Sequence, residues 1–335
     1  MAGSRPPRCR REIHETTAPA GHGNRPADRG AHARDTSPDE RLLSGRYRLL
    51  KPLGRGGMGT VWQGRDELLA RDVAIKEVAL PAGPERAIRA ERTRREARAA
   101  ARVSHPNIVA VYDMVETAGQ PWIVMELLRS RTLRQAITQD GPLSPRTVAS
   151  IGLNVLEGIC AVNAAGILHH DVKPDNILLT NAGRVVLIDF GIATIDREDP
   201  LPQTGKLSGT PAYIAPERAA GNSFCPESDL WSLGATLYTA VEGRPPFSRS
   251  AAIPTLAAIL SAPPDPFRHA GPLAGVLAGL LRKNPATRLD TARTRRQLQC
   301  IAELWSPEQD TAPAVAARVP ARSRLGSPRA DAALG

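Results

Sequence analysis

The stretch His169-His170-Asp171-Val172-Lys173-Pro174-Asp175-Asn176, followed a short hairpin later by Asp189-Phe190-Gly191, decides how this chain reads. Its flanks, Ile167 and Leu168 on one side and 177–179 and 185–188 on the other, are apolar and read as buried strands. A carboxylate, an ammonium, an amide and a second carboxylate therefore stand close in sequence, in a polar segment framed by core. Phosphoryl transfer needs such a set: a carboxylate to orient the attacking hydroxyl, a cation for the migrating charge, and oxygen ligands for a divalent metal.

Upstream of that stretch, 47–53 reads as a strand, Gly54-Arg55-Gly56-Gly57-Met58-Gly59 as a turn, 60–63 as a second strand and 72–79 as a third. A lone GxGxxG is weak, because a flexible hairpin turn accounts for it equally well. A dinucleotide fold would need a helix after the glycines, whereas Thr60-Val61-Trp62 favours a strand. In a hairpin the glycines let a backbone flap approach phosphates closely, with amide N–H groups donating. The third strand carries Val73-Ala74-Ile75-Lys76, a lysine in an apolar ribbon. The basic residues are overwhelmingly arginine, and the lysines are Lys51, Lys76, Lys173, Lys206 and Lys283. Lysine at 76 and 173 thus suggests sites that want a compact point charge, the bland alternatives being chance and an edge-strand lysine.

Residues 85–103, rich in Ala and Arg with no internal Gly or Pro, predict a helix that ends at Ser104-His105-Pro106-Asn107. Its basic face, 86–102, reads as solvated rather than as a dock for an acidic partner. Strands follow at 108–115 and 122–127, then a polar segment at 128–131 and a short helix at 132–138. Ser144 as N-cap and Pro145 at the first position open a long helix to 165. Beyond the catalytic stretch, 192–215 reads as a polar loop bearing Thr204, Ser208 and Thr210, and helices at 228–241 and 273–281 continue to about 304. The ends, 1–45 and 306–335, are rich in Arg, Pro, Ala and Gly and read as disordered tails around a domain at 46–305.

With 335 residues and 41% hydrophobic content, the chain can bury a sizeable core. The net charge of +10 does not point to nucleic acid: the arginines are scattered among acids, aromatics make up 4%, and no nucleic-acid-reading motif is present. Cys9, Cys160, Cys225 and Cys300 lie far apart without metal-ligand spacing, which suits a reduced, cytoplasmic protein. Arg10-Arg11 is followed by no apolar run, so no secretion signal is expected. The apolar stretch 148–168 is interrupted by Asn154, Glu157 and Asn163, so no membrane insertion is expected either.

The order of these motifs resembles the protein kinases, in particular the bacterial eukaryotic-like (Hanks-type) serine/threonine kinases, over about 47–305. The resemblance implies an α+β, two-lobed protein kinase fold. Its β-rich N-lobe with one main helix would cover about 46–127, and its mostly helical C-lobe about 132–305. It implies ATP as phosphoryl donor, with Mg2+ or alternatively Mn2+. By resemblance, Gly54, Arg55, Gly56, Gly57, Met58 and Gly59 form the flap over the phosphates, with Leu53, Val61 and Ala74 above the adenine and Leu178 below. Lys76 would hold the α- and β-phosphates and pair with Glu96. Met125 would be the gatekeeper, with hinge backbone offered between Glu126 and Leu128. Asp171 would orient the substrate hydroxyl and accept its proton, Lys173 would neutralise the γ-phosphoryl charge, and Asn176 with Asp189 would hold the metal. The stretch from Gly209 to Glu217 resembles the substrate-docking loop and its anchor, with Arg288 as the partner of Glu217. Ser228-Asp229-Leu230-Trp231-Ser232-Leu233-Gly234 resembles the family's central helix, whose aspartate steadies the catalytic loop. Thr204, Ser208 and Thr210 are the candidate activation-loop phosphosites, and Lys173 with Thr210 favours serine and threonine as acceptors. The implied partners are protein substrates and a second copy of the chain for self-phosphorylation.

Two positions depart from the family pattern. Ser130 stands where a glycine often follows the hinge, a neutral loop change. His170 stands where most members carry the arginine that binds a phosphorylated activation loop, and a neutral imidazole cannot make that bidentate contact. Activity is therefore expected to depend less on phosphorylation of Thr204, Ser208 or Thr210. A pseudokinase scaffold is the rival from another class, and it predicts loss of one of Lys76, Asp171, Asn176 or Asp189, all of which are present. Small-molecule phosphotransferases share the acidic loop but generally lack a docking loop like that at 209–217.

Overall fold

Successive side chains along the strands of the smaller lobe point to two opposite faces, and the central strand Arg71–Glu77 is buried on both. In the computed structural model β1 (Leu42–Leu43), β2 (Tyr47–Gly56), β3 (Gly59–Asp66), β4 (Arg71–Glu77), β5 (Val111–Thr117) and β6 (Gln120–Glu126) form one antiparallel sheet in the order β1-β2-β3-β4-β6-β5. Val73 and Ile75 of β4 join Tyr47, Leu49 and Val124 in a small cluster on one face. Ala74 joins Ile123 and Met125 in the main core on the other, and Lys76, two residues on, shares its face. The described residues are 42–56, 59–81, 83–189 and 211–304. They belong to the unit Pro38–Gly335; the unit Met1–Ser37, and with it most of the expected N-terminal tail, lies outside them, as does the tail from 306.

α1 (Glu85–Ala100) faces the sheet with Ala90, Thr93, Ala97 and Ala100, a helical stripe of small residues that lets it lie close. It stops at 100 rather than 103, the Val103 amide donating to the Ala100 carbonyl in a tighter turn before Pro106.

The larger lobe is helical around a small sheet. α2 (Leu133–Asp140) opens on a capping box between Thr132 and Gln135. α3 (Pro145–Ala164) opens as predicted, with Ser144 accepting from the Thr147 amide and Pro145 in the first turn. β7 (Ser130–Thr132), β8 (Ile177–Thr180) and β9 (Val185–Leu187) form the antiparallel sheet β7-β8-β9. α4 (Pro216–Ala219), α5 (Pro226–Glu242), α6 (Ala252–Ser261), α7 (Ala274–Leu280) and α8 (Thr291–Leu304) complete the lobe. α3 is long and apolar enough to cross a membrane, with mean hydropathy 1.4, yet Val148, Ile151, Val155, Leu156, Ile159 and Val162 are buried in the core. A Cβ on its Gly152 would meet Leu237 of α5 at 2.9 Å and Leu298 of α8 at 3.2 Å, so glycine is what lets three helices meet there.

Three expectations are corrected. The segment 128–131, expected as a polar connection, contributes β7, because pairing with β8 satisfies its backbone. Ile167 and Leu168 form no strand; the Ile167 amide turns back to the Val162 carbonyl at the end of α3. α5 begins at Pro226, two residues before the expected start, with Pro in its first turn and Ser228 bonding back to the Cys225 amide.

Asn107 joins the lobes where α1 exits. Its buried amide donates to Asn154 of α3 at 2.9 Å and to the Val185 carbonyl of β9 at 2.8 Å, while its own carbonyl accepts from Leu187. Asn107→Ala removes the donor from two acceptors, and a buried group left without its partner costs about 1–3 kcal/mol. We expect a loss of about 2 kcal/mol in urea denaturation; an unchanged midpoint would show that this amide carries no such load.

Candidate active site

Asp171 is 5% exposed, and its Oδ2 accepts from Lys173 Nζ at 2.6 Å and from Asn176 Nδ2 at 2.8 Å. The Asn176 amide also donates to the Asp171 carbonyl at 2.9 Å. Lys173 is extended, and Pro174 starts the one-turn 3-10 helix Pro174–Asn176 that folds Asn176 back onto Asp171. The Asp171 N–H donates to His169 Nδ1 at 3.2 Å, so His169 carries its own proton on Nε2, which meets the Ile188 carbonyl at 3.1 Å. Burial pushes His169 down to about 4, and the ring stays neutral near pH 7. The amides of His169 and His170 donate to the two oxygens of Asp229 at 2.8 and 2.9 Å. Burial pushes the Asp229 carboxyl up to about 6, although both amide bonds favour its charged form.

Lys76 reaches this loop from the sheet. It lies opposite Val61 on β3 and Ile123 on β6, and its Nζ donates to Asp189 Oδ1 at 2.7 Å. The expected partner of Lys76 was Glu96; the bond formed is with Asp189 instead. Asp189 has φ 61, a left-handed backbone at the exit from β9, and its carboxylate forms a charge-assisted bond with the buried ammonium. Glu96 stands half-buried on α1. Met125 lies opposite Ala74, so Val61, Ala74, Lys76 and Met125 line one face, with Val61 and Leu178 packed against the main core. Leu53 is 49% exposed. The Glu126 amide donates to the Ala110 carbonyl, its carboxylate pairs with Arg184 at 2.8 Å, and the Ser130 hydroxyl bonds the Leu128 carbonyl at 3.2 Å.

In the glycine hairpin Gly56 pairs with Gly59, and Gly57 and Met58 lie outside the described residues. Gly59 has φ 124, and a Cβ there would stand 2.0 Å from the Glu77 carbonyl oxygen, so the chain needs glycine at that point. At Gly54 and Gly56 a Cβ would meet nothing within 4 Å, so packing does not demand glycine and the bare backbone faces open space. Glu217 and Arg288 form a buried bidentate pair at 2.9 Å on both oxygens, joined by Ser228 Oγ at 2.7 Å. Burial alone would raise the Glu217 carboxyl; Arg288 and Ser228 more than offset this and hold it below the usual range. Pro211, Ala212 and Tyr213 are buried beside this anchor, whereas Phe190, Gly191, Thr204, Ser208, Gly209 and Thr210 lie outside the described residues.

A family model described as protein kinase domain matches residues 47–298. The chain belongs to the protein kinase family. The kinase has the two-lobed α+β fold of that family, and the relatives compared below are bacterial. It is 39% identical to a probable serine/threonine-protein kinase, pknA2, of Bifidobacterium longum over 62% of this chain and 28% of that protein. It is 35% identical to serine/threonine-protein kinase PknL of Mycobacterium bovis over 78% of this chain and 67% of that protein. It is 38% identical to serine/threonine-protein kinase PknA of Mycobacterium tuberculosis over 73% and 58%. The chain spans 28% of the length of the first of these relatives and about a third of two further ones, probable serine/threonine-protein kinases of Corynebacterium glutamicum and Corynebacterium efficiens, 33% and 32%.

Kinases of this family use ATP with a divalent cation, and the residues present fit one. Asn176 turns its amide nitrogen to Asp171, so its amide oxygen faces the other way, and the Ile188 amide bonded to the Asn176 carbonyl at 2.9 Å keeps Asp189 beside it. Both offer hard oxygen donors. Among the described residues no group of three His, Cys, Asp or Glu side chains is arranged for a metal.

The bonds of His169 to Asp171 and Ile188, of Ser228 to Glu217, and of Arg134 to the Tyr213 hydroxyl at 2.5 Å were not foreseen. No spacing signals them, because their partners stand 11 to 79 residues away or are backbone groups.

The pH response follows from Asp229 and His169. The carboxyl of Asp229 titrates higher folded than its ordinary 3.8, so the stability it contributes is complete below 3.8 and lost as pH rises through about 6. His169, held at about 4 against 6.5, contributes stability present above 6.5 and lost as pH falls through 4. Between pH 4 and 6 the two trends oppose. Protonation of Asp229 converts one acceptor oxygen into a hydroxyl and strips one catalytic-loop amide of its partner. We expect turnover to fall as pH drops below about 6 while the urea midpoint changes little from pH 6.5 to 5.5, with Asp229→Asn impaired even at pH 8. Turnover that stays level through that range would contradict the assignment.

Proposed function

We propose that this kinase transfers the γ-phosphoryl group of ATP to serine and threonine hydroxyls of proteins, itself included. The observation that carries the reading is Asp171 Oδ2 held between Lys173 Nζ at 2.6 Å and Asn176 Nδ2 at 2.8 Å, next to the Lys76–Asp189 pair at 2.7 Å. Asp171 orients the acceptor hydroxyl and takes its proton, and Lys173 offsets negative charge gathering at the γ-phosphoryl oxygens. Lys76 holds the α- and β-phosphates, and its bond to Asp189 keeps the ammonium over the site. Asn176 and Asp189 would hold Mg2+, with Mn2+ as the alternative, and the cation would neutralise phosphate charge. Gly54, Gly56 and Gly59 close the hairpin over the phosphates, and Leu53, Val61, Ala74, Met125 and Leu178 enclose the base against the Glu126-to-Leu128 backbone. Arg55, Gly57, Met58 and Glu96 belong to the same nucleotide site.

A protein acceptor is supported by the docking segment around Pro211–Tyr213, which the Glu217–Arg288 pair anchors. The pseudokinase alternative has no support from these residues, since Lys76, Asp171, Asn176 and Asp189 are all present. Incubation with labelled ATP and Mg2+ should label the wild type and a generic protein acceptor, and Asp171→Asn should lower the rate by about 10²- to 10⁴-fold. An unlabelled wild type, or a variant as active as it, would refute the enzyme reading.

His170 bears on regulation. Without a guanidinium at that position, phosphate on Thr204, Ser208 or Thr210 gains no bidentate partner there. Phosphatase-treated and self-phosphorylated protein should turn over at similar rates; a large loss on dephosphorylation would overturn this.

A further inference from the structure

His170 occupies the left-handed region, φ 68, which a residue bearing a Cβ holds only where its surroundings over-determine it. One restraint is the bond of its amide to Asp229. A second is aromatic: the His170 ring stacks on Phe224 with centroids 3.8 Å apart and planes 25° from parallel. The guanidinium carbon of Arg218 stands 3.6 Å from the same Phe224 centroid. Two groups in van der Waals contact over one ring centre cannot share a face, so Phe224 is the middle layer of a three-layer sandwich. Both outer layers suit the electron-rich face of a phenyl ring, the guanidinium by cation–π attraction and the imidazole by stacking.

The sandwich joins two working parts of the site. His170 immediately precedes Asp171. Arg218 immediately follows Glu217, the anchor of the docking segment, is itself buried, and bonds the Asn222 carbonyl so that its guanidinium is fixed. Relaxing His170 toward ordinary φ would rotate the peptide that leads into Asp171. It would also pull the Asp171 amide off His169, the contact that holds the backbone from which the carboxylate projects toward Lys173 and Asn176.

We propose that Phe224 and Arg218 are positioning residues: by clamping the His170 ring they hold the left-handed backbone that aims the Asp171 carboxylate, and they tie the catalytic loop to the docking segment by contact, without a phosphate. The inference rests on the phosphotransfer reading above. It assigns Phe224 a role in turnover and none in nucleotide binding, because the nucleotide-holding groups Lys76, Val61 and Ala74 stand on the sheet of the other lobe.

Steady-state kinetics on Phe224→Leu, Phe224→Ala and Phe224→Tyr test it. Leucine keeps most of the apolar volume but offers no π face, and tyrosine keeps the ring. We expect Phe224→Leu and Phe224→Ala to lose on the order of tenfold in kcat, with KM for ATP unchanged, and Phe224→Tyr to restore kcat. The upfield shift that a stacked phenyl ring imposes on the His170 ring protons should vanish in Phe224→Leu and persist in Phe224→Tyr. If Phe224→Ala does not fold, the leucine and tyrosine pair carries the comparison alone. An active wild type whose Phe224→Leu variant keeps full kcat, or loses ATP affinity in step with kcat, overturns the positioning role alone. A wild type that transfers no phosphoryl group overturns the functional reading and this role with it.

Discussion

The carboxylate of Asp229, shut away from water at the start of α5, accepts the backbone amides of both His169 and His170, and the geometry of the catalytic loop depends on it. Burying a carboxylate is costly and pushes its pKa up, here to about 6, and the two N–H donors that converge on it offset part of that cost. The same bonds hold two consecutive peptides in an orientation they would not keep alone, the second of them at a left-handed residue. Asp171 follows directly, and its own amide is taken up by the ring of His169. A neutral imidazole that accepts at one nitrogen and donates at the other passes the constraint on to Ile188, and so to Asp189.

From that fixed point the site spreads along covalent and hydrogen-bonded neighbours. Asn176 is folded back onto Asp171 by the proline-started turn, and its carbonyl holds the Ile188 amide, so the loop and the β9 exit move as one piece. Across the cleft the sheet contributes Lys76, which its strand buries on the face of Ala74 and delivers to Asp189. Below the loop, Glu217 and Arg288 form a buried pair, satisfied by Ser228 and by the backbone carbonyls of Arg282, Glu227 and Lys283, that fixes the docking segment against α5. α5 therefore supports both Asp171, the proposed base, and the proposed acceptor platform around Pro211–Tyr213.

Much of this was legible in the chain itself. The strands around the glycine hairpin, the lysine in Val73-Ala74-Ile75-Lys76, and the Ser144-Pro145 helix start all follow from local chemistry: period-two apolarity, glycine freedom, and an N-cap hydroxyl before proline. The motif order located Asp171, Lys173, Asn176 and Asp189, and the fold brings all four together. Other features had no local signal. Asp229 carries the local signal of an ordinary helix-start acid; its hold on the catalytic loop was implied by the family resemblance alone, and the fold wraps that loop, 59 and 60 residues upstream, over it. Lys76 has a carboxylate in reach at Asp189 that no spacing rule would choose over Glu96. The segment 128–131 looked polar and structureless because its only reason to be a strand is β8, some 50 residues later.

His170 shows the division most clearly. The sequence by itself determined that an imidazole replaces a guanidinium beside the base, and with it the loss of a bidentate phosphate contact, because that is a matter of residue identity. It also determined most of the strands and the long helix start, since periodicity and local propensity depend on near neighbours, while the lobes and the roles of the polar side chains followed from the family resemblance. Only the tertiary structure decided what the imidazole does in place of the guanidinium: it lies on Phe224, backed by Arg218, in a backbone conformation held from the far side by Asp229. Stacking, ion pairing and burial are set by distance in space, and the chain reveals such distances only after it has folded.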